Sequence, residues 1–197
     1  MHLLAAQAGA AQQEGEAIDL GQTPADILFL SAADSELMML AGAVDRAGAD
    51  NVRLANILRL SHNLSVDLWI EQTARHARLI VVRLLGGPAY WQYGVDELTA
   101  LSLTGTRVAG EEGDATPDPI LRDRSTIAPS DWSHLHALFT AGGPENADTI
   151  LAHFTDLAVG SPSPSAGRGQ GWGESLPPNS PGTAPSSGLR PPSPTGG

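Results

Sequence analysis

Apolar residues along the first 160 positions follow two different spacings. Short continuous apolar runs predict buried strands at Asp26–Ala32, Val52–Leu58 and Leu79–Leu85. The last run is interrupted only by Arg83, which makes it the candidate for a central strand. A weaker strand is predicted at Thr106–Ala109, followed by an acidic, proline-broken loop.

Between and after these runs, apolar residues recur at helical spacing and predict five helices. Asp34, Ser65 and Ser130 are the expected N-caps of the first, second and fourth helices, because short polar side chains accept hydrogen bonds from free backbone N–H groups. Gly143-Pro144 opens the fifth, since proline suits the first helical position. The wide apolar stripe of that helix comprises Ala147, Ile150, Leu151, Phe154, Leu157 and Ala158. We expect the surface that covers this stripe to lie beyond residue 160.

Strands that alternate with helices form right-handed βαβ units, which build a parallel sheet covered by helices on both faces. The predicted fold class is therefore α/β, a flavodoxin-like or Rossmann-like open parallel sheet. We divide the chain into an α/β module at 1–128, a helical extension at 129–160 and a tail at 161–197. In the tail, 25 of 37 residues are Pro, Gly or Ser. That composition predicts disorder, because the segment cannot bury enough apolar area to offset its ordering entropy.

The composition of the 197 residues excludes several kinds of binding site and of catalysis. The chain has no cysteine and no lysine, which excludes disulfides, thiolate zinc sites, a Walker-A phosphate loop and Schiff-base catalysis. Its formal net charge of −11 argues against nucleic-acid binding. No signal peptide and no apolar run long enough to span a membrane is apparent. We predict a soluble cytoplasmic protein that binds neither nucleic acid nor membrane.

Ligands of open α/β sheets bind outside the carboxyl ends of the strands. The loops at 31–35, 60–65 and 86–93 leave such ends, and the candidate site residues in them are His62, Gly86, Gly87, Tyr90 and Trp91. Each also has a structural interpretation. A histidine can be hydrogen-bonded within the fold, glycines before a proline can form a tight turn, and aromatics can pack at a domain interface.

No catalytic set and no metal site is predicted. His134 and His136 are two residues apart and would face different sides of a helix, which makes them a poor chelating pair. The Glu111-Glu112 pair is expected in a solvated loop. Gly86 and Gly87 do not complete a dinucleotide-binding fingerprint.

Several phrases resemble one family as a group. They are MHLLAAQ at the start, AIDLGQTPADILFLSAADSEL at 17–37, VRLANILRLSHNLSVDLWIEQ at 52–72, ARLIVVRLLGGPAYWQYGVDEL at 77–98 and GGPENADTIL at 142–151. Together they resemble the N-terminal part of the large subunit of aerobic-pathway cobaltochelatase, the family of CobN that also includes the magnesium-chelatase H subunit. The likeness runs from Met1 to about Val159 and weakens between about Ser102 and Thr116, where we expect a trimmed strand.

The resemblance implies an assembly that inserts Co²⁺ into hydrogenobyrinic acid a,c-diamide, a corrin-type tetrapyrrole, during cobalamin synthesis. It implies as partners the remaining domains of a much longer large subunit and AAA-type subunits that hydrolyse ATP with Mg²⁺. No cofactor is expected on this chain, which is interpreted as a fragment that is inactive alone. Its tail is interpreted as DNA translated in a frame not selected for folding.

Two other hypotheses stay open. The first is a stand-alone flavodoxin-like binding or scaffold module without catalysis, which should lack a large bare apolar face. The second is a flavin or nicotinamide oxidoreductase, which only the fold class supports.

Overall fold

Four parallel strands form the centre of the fold. In a computed structural model, which describes residues 16–113 and 118–160, the strands are β1 (Ile27–Ser31), β2 (Val52–Asn56), β3 (Leu79–Leu84) and β4 (Arg107–Glu112). Their order is β2-β1-β3-β4, and all three pairings are parallel. The predicted α/β class with an open parallel sheet is confirmed. The predicted tail at 161–197 lies outside the described residues.

Helices connect the strands and close the described chain. They are α1 (Asp34–Ala47), α2 (Asn63–Gln72), α3 (Gln92–Ser102), α4 (Pro119–Arg124), α5 (Pro129–Ala141) and α6 (Pro144–Val159). Short 3-10 turns lie at Ile57–Leu60, Ala74–His76 and Pro88–Trp91. Within the described ranges, none of the helices has the length and apolar character that crossing a membrane requires.

The sheet separates two hydrophobic cores because successive strand residues point to opposite faces. Ile27 and Phe29 of β1 pack with α1, α5 and α6, whereas Leu28 and Leu30 pack with α2 and α3. The Phe29 ring stacks on Phe139 at 5.5 Å and on Phe154 at 6.0 Å between centroids. Helices therefore cover both faces, as the sequence predicts.

The apolar stripe of α6 is covered within the described chain. Ile150 and Phe154 are buried in the core cluster that contains Phe29, and α6 contacts α1, α5, β1 and β3. The expectation that the partner of this stripe lies beyond residue 160 is wrong. The sequence showed which face of α6 is apolar but could not show that α1 and the sheet are its partners.

The structure also corrects β4. The predicted strand ended at Ala109, but β4 continues to Glu112 and pairs with the whole of β3, from Leu79 opposite Arg107 to Leu84 opposite Glu112. In the segment where the family resemblance weakens, β4 is thus a six-residue strand. Pairing with a central strand extends β4 through Gly110 and Glu111, whose strand propensities are low.

None of the three predicted residues is an N-cap. The side chains of Asp34 and Ser65 form other hydrogen bonds, and the helix expected to begin after Ser130 begins before it. Ala33 caps α1, and the Asp34 carboxylate accepts a hydrogen bond from Asn56 Nδ2 at 2.8 Å. The Ser65 hydroxyl lies inside α2 and accepts from Ile18 N at 2.7 Å. Helix α5 begins at Pro129, one residue before Ser130, whereas the predicted opening of α6 at Pro144 is confirmed.

We expect Phe154→Ala to lower the free energy of unfolding by about 3–5 kcal/mol, because it removes a ring packed against Phe29 and leaves a cavity. Urea denaturation of the full chain measures this change. The control is Val159→Ala on the same helix; Val159 is 68% exposed, so its loss should cost less than about 0.5 kcal/mol. Equal effects of the two substitutions would contradict the packing of α6 against the sheet.

Candidate functional site at the carboxyl edge of the sheet

The carboxyl ends of β1 and β3 flank the point where the strand order reverses. Helix α1 follows β1 on one face, whereas α2 and α3 cover the other. When the chain leaves two neighbouring strands toward opposite faces of the sheet, a crevice forms between the two connections. Open α/β sheets bind their ligands in this crevice. The residues at this edge therefore form the candidate site.

A buried ion pair lies beside this crevice. Arg83 of β3 is 3% exposed, and its Nε donates a hydrogen bond to Glu36 Oε1 of α1 at 2.9 Å. Glu36 Oε2 accepts a second hydrogen bond from Ser31 Oγ, at the end of β1, at 2.6 Å. The Arg83 guanidinium carbon also lies 4.3 Å from the centroid of the Phe139 ring. Carboxylate and ring together offset part of the cost of removing the cation from water.

A second carboxyl group, Glu111, faces Arg83 from the neighbouring strand. The two residues are register partners of β3 and β4, and the Glu111 side chain is 0% exposed. Its Oε2 lies 3.4 Å from Nδ1 of His136 on α5, without the alignment of a hydrogen bond. Burial raises the pKa of Glu111 to about 8, although the positive charge of Arg83 opposes the shift. Glu111 is therefore mainly protonated at neutral pH.

Trp132 of helix α5 packs against His136 and is hydrogen-bonded to β4. The His136 ring stacks on Trp132 with centroids 5.1 Å apart, and Trp132 Nε1 donates to the carbonyl oxygen of Gly110 at 2.8 Å. A carboxyl group that holds its proton at pH 7 can donate a hydrogen bond or a proton. Full burial of Glu111 keeps a substrate from reaching it in this conformation, so the cluster is built as a structural element beneath the edge.

His62 caps a helix. It is the N-cap of α2, and its Nδ1 accepts a hydrogen bond from Leu64 N at 3.1 Å. Histidine is an uncommon cap, which is why sequence reasoning preferred Ser65. The bond occupies Nδ1, so Nε2 is the ring atom that could contact a ligand.

Gly86 and Gly87 form the tight turn after β3. Their φ angles are +95° and +73°, a region that side chains with a Cβ rarely adopt. At Gly87 the ψ angle of −172° places the backbone where essentially only glycine occurs. The turn leads directly into the 3-10 segment that carries Tyr90 and Trp91, so the glycines orient these aromatics.

The aromatics of this segment divide between core and surface. Trp91 is buried, and its Nε1 donates to the carbonyl oxygen of Leu60 at 2.9 Å, which ties the loop after β2 to the loop after β3. Tyr93 donates to Asp67 Oδ1 at 2.6 Å, and this hydrogen bond is the main cause that raises its pKa to about 12. Tyr90 remains partly exposed at the rim.

Sequence reasoning missed the cluster of Glu36, Arg83 and Glu111. Glu111 was expected in a solvated loop and is instead fully buried in β4, because the strand is longer than its apolar residues indicate. One signal was visible: an arginine that interrupts an otherwise apolar central strand needs a buried partner. The identity of that partner depended on the register of β4.

His134 and His153 contact each other and not the Arg83 cluster. His134 contacts the His153 ring edge-on at 5.1 Å between centroids, whereas His136 stacks on Trp132. His153 Nε2 lies 3.7 Å from Asp131 Oδ1. Across 16–113 and 118–160, no group of three or more His, Asp or Glu residues could hold a metal ion.

The chain is similar in sequence to two known proteins. Aerobic cobaltochelatase subunit CobN of a Sinorhizobium species is 49% identical over 166 residues, which cover 83% of this chain and 13% of that protein. The chain is a homologue of part of CobN. CobN of Pseudomonas aeruginosa is 38% identical over 162 residues, or 81% of this chain and 13% of the relative. The family resemblance that the sequence showed is confirmed, although no family model matches.

A solved structure agrees with the CobN relationship. The catalytic subunit of cobaltochelatase from Mycobacterium tuberculosis superposes with a TM-score of 0.54 and 29% sequence identity, over 66% of this chain and 10% of that chain. The present chain thus spans 13% of the length of the curated CobN relatives that it matches.

Glu111→Gln should remove a pH-dependent loss of stability. The unfolded state releases the Glu111 proton near pH 4.5 and the folded state holds it to about pH 8. The wild type therefore loses unfolding free energy as the pH rises between these values, on the order of 1 kcal/mol per pH unit from this one group. The glutamine variant should match the wild type near pH 4.5 and exceed it increasingly up to pH 8, measured by urea denaturation.

Glu36→Gln is the matched control for that experiment. It removes the carboxylate that pairs with buried Arg83, so it should lower the unfolding free energy by about 3 kcal/mol across the same pH range. A constant difference between Glu111→Gln and the wild type from pH 5 to 7.5 would show that Glu111 is ionised in the fold.

We expect Gly87→Ala to lower the unfolding free energy by about 1–3 kcal/mol, because alanine is strained at this backbone conformation. The control, Gly42→Ala inside α1, should instead raise it by up to about 1 kcal/mol, since its Cβ would meet only the flexible Arg46 side chain, at 3.2 Å. Both values come from denaturation of the full chain. A neutral Gly87→Ala would mean that the turn has another conformation.

Proposed function

We propose that this chain serves as one domain of the large subunit of aerobic cobaltochelatase, the assembly that inserts Co²⁺ into hydrogenobyrinic acid a,c-diamide in cobalamin synthesis. The observation that carries the proposal is the 49% identity to CobN over 83% of the chain. In this proposal the complete large subunit binds the tetrapyrrole and the metal substrate, and AAA-type partner subunits hydrolyse ATP with Mg²⁺.

The isolated chain does not insert cobalt in this proposal. It corresponds to 13% of the length of the CobN relatives, so most of the large subunit is outside the sequence. In this proposal the domain has a structural role within the complete large subunit. Its carboxyl-edge loops, which carry His62, Gly86, Gly87, Tyr90 and Trp91, face a neighbouring domain or the tetrapyrrole cleft.

The geometry of the fold supports one alternative function, a stand-alone binding or scaffold module without catalysis. Both faces of the sheet are covered by helices, and the stripe of α6 is buried against the sheet and α1. A domain with closed cores can fold cooperatively without further polypeptide. Under this alternative the chain acts through a surface contact and is independent of the other cobaltochelatase subunits.

A graft distinguishes the two functions. In the Sinorhizobium CobN, the segment that matches this chain is replaced by residues 1–160 of the chain. With the partner subunits, ATP, Co²⁺ and hydrogenobyrinic acid a,c-diamide, we expect the graft to insert cobalt at a rate within about tenfold of the unmodified CobN, since half of the aligned residues are identical. The CobN that lacks the segment, and this chain by itself, should both be inactive.

The graft also has a control for folding. We measure the temperature at which each graft loses cobalt insertion on heating. This temperature should be lower for a graft that carries Phe154→Ala than for the unsubstituted graft, because the substituted domain unfolds more easily. A folded graft without cobalt insertion would contradict the proposed function and leave the stand-alone module as the better explanation.

A further inference from the structure

A cleft lined by arginines lies at the amino edge of the sheet. It has a volume of ≈ 340 Å³, and its lining includes Arg75, Arg78, Arg107, Thr104 and Thr106. We call it the arginine cleft. The chain has 22 Asp and Glu residues and a net charge of −11, yet none of the carboxylates in the described ranges lines this cleft. The arginine cleft is therefore a basic site on an acidic molecule.

Hydrogen bonds of the sheet hold the backbone of the cleft in place. Arg78 directly precedes β3, Arg107 is the first residue of β4, and Arg107 N donates to the Arg78 carbonyl oxygen at 3.0 Å. Thr106 Oγ1 donates to the Ala77 carbonyl oxygen at 3.2 Å. Because this backbone is already ordered, a ligand has to order side chains only, which lowers the entropic cost of binding.

The three guanidinium groups differ in what they already contact. Arg107 donates to two carbonyl oxygens at the C-terminal end of α6, which orient its side chain but do not neutralise its charge. Arg75 pairs with Glu71 at the surface, where both side chains are solvated and such a pair contributes little. Arg78 is exposed, and its guanidinium has no hydrogen bond or ion pair within the described ranges. Binding of an anion should therefore depend most on Arg78.

A neighbouring cleft has a different charge. It has a volume of ≈ 370 Å³ and also borders Arg107 and Gly160, but its lining includes Asp131 and Asp156. Carboxylates beside Arg107 repel an anion on that side, because like charges repel. The arginine cleft has no such residues in its lining, so an anion is favoured there and not in the neighbouring cleft.

We propose that the arginine cleft binds a small polyanion, a molecule that carries two or more carboxylate or phosphate groups. Guanidinium groups present forked N–H donors that match both kinds of oxyanion. The volume of the cleft lies in the range of small-molecule sites, and several oxyanion groups are needed to pair with its three arginines. The site uses residues of this chain alone, so it does not rest on the proposed function.

Titration calorimetry of the isolated 197-residue chain tests the site with two probes, pyrophosphate and citrate. At about 0.15 M NaCl, which screens distant charges, we expect at least one probe to bind one to one with a Kd below about 1 mM. Arg78→Gln should weaken this binding about tenfold, because it removes charge-assisted hydrogen bonds. The matched control is Arg59→Gln, which removes the same charge just after β2 at the opposite edge and should change the Kd less than about twofold.

A second substitution should change the affinity in the opposite direction. Glu71→Gln releases Arg75 from its surface pair and removes a negative charge, so the Kd should fall by about two- to threefold. Its control is Glu145→Gln at the other end of α6, about 20 Å along the helix from the cleft, which should leave the Kd unchanged. A misfolded variant cannot bind more tightly, so loss of structure cannot produce the expected result.

The two probes also distinguish the source of the oxyanion groups. Tighter binding of pyrophosphate assigns the cleft to a phosphate ligand, tighter binding of citrate assigns it to a carboxylate ligand, and either result supports the site. Absence of saturation by both probes up to about 10 mM overturns the proposal. Equal weakening by Arg78→Gln and Arg59→Gln overturns it too, because it indicates nonspecific attraction. Cobalt insertion by the graft bears on the proposed function only, so the two proposals fail separately.

Discussion

Arg83 places a permanent positive charge in a central strand of the sheet, and the carboxyl edge is arranged around it. Transfer of such a cation out of water costs several kcal/mol unless partners compensate. Glu36 supplies the paired carboxylate, Ser31 supports that carboxylate, and the Phe139 ring lies against the guanidinium. Helix α1 and helix α5 are therefore both held to the sheet by contacts with one side chain.

Burial, and not the charge of Arg83, keeps Glu111 protonated. Removal from water raises the pKa of Glu111 more than the nearby Arg83 lowers it, so the carboxyl group remains mainly protonated at neutral pH and avoids a buried negative charge. The cluster joins α1, β3, β4 and α5. It lies beneath the crevice between β1 and β3.

The described α/β unit has closed hydrophobic cores and several exposed leucines at its carboxyl edge. Helices cover both faces of the sheet, so the core of the α/β unit is buried within the described residues. The carboxyl edge, in contrast, presents leucines that water solvates poorly.

The sequence by itself determined the parallel α/β fold, the central position of β3 and the opening of α6 at Pro144, because these depend on local periodicity and on the geometry of proline. It also determined that glycines turn the chain after β3. Only the tertiary structure decided that β4 continues through Glu111, that Glu36 and Glu111 both face Arg83, and that α6 is covered by the sheet and α1. These facts depend on register and on contacts between residues far apart in the chain, which no local pattern of residues encodes.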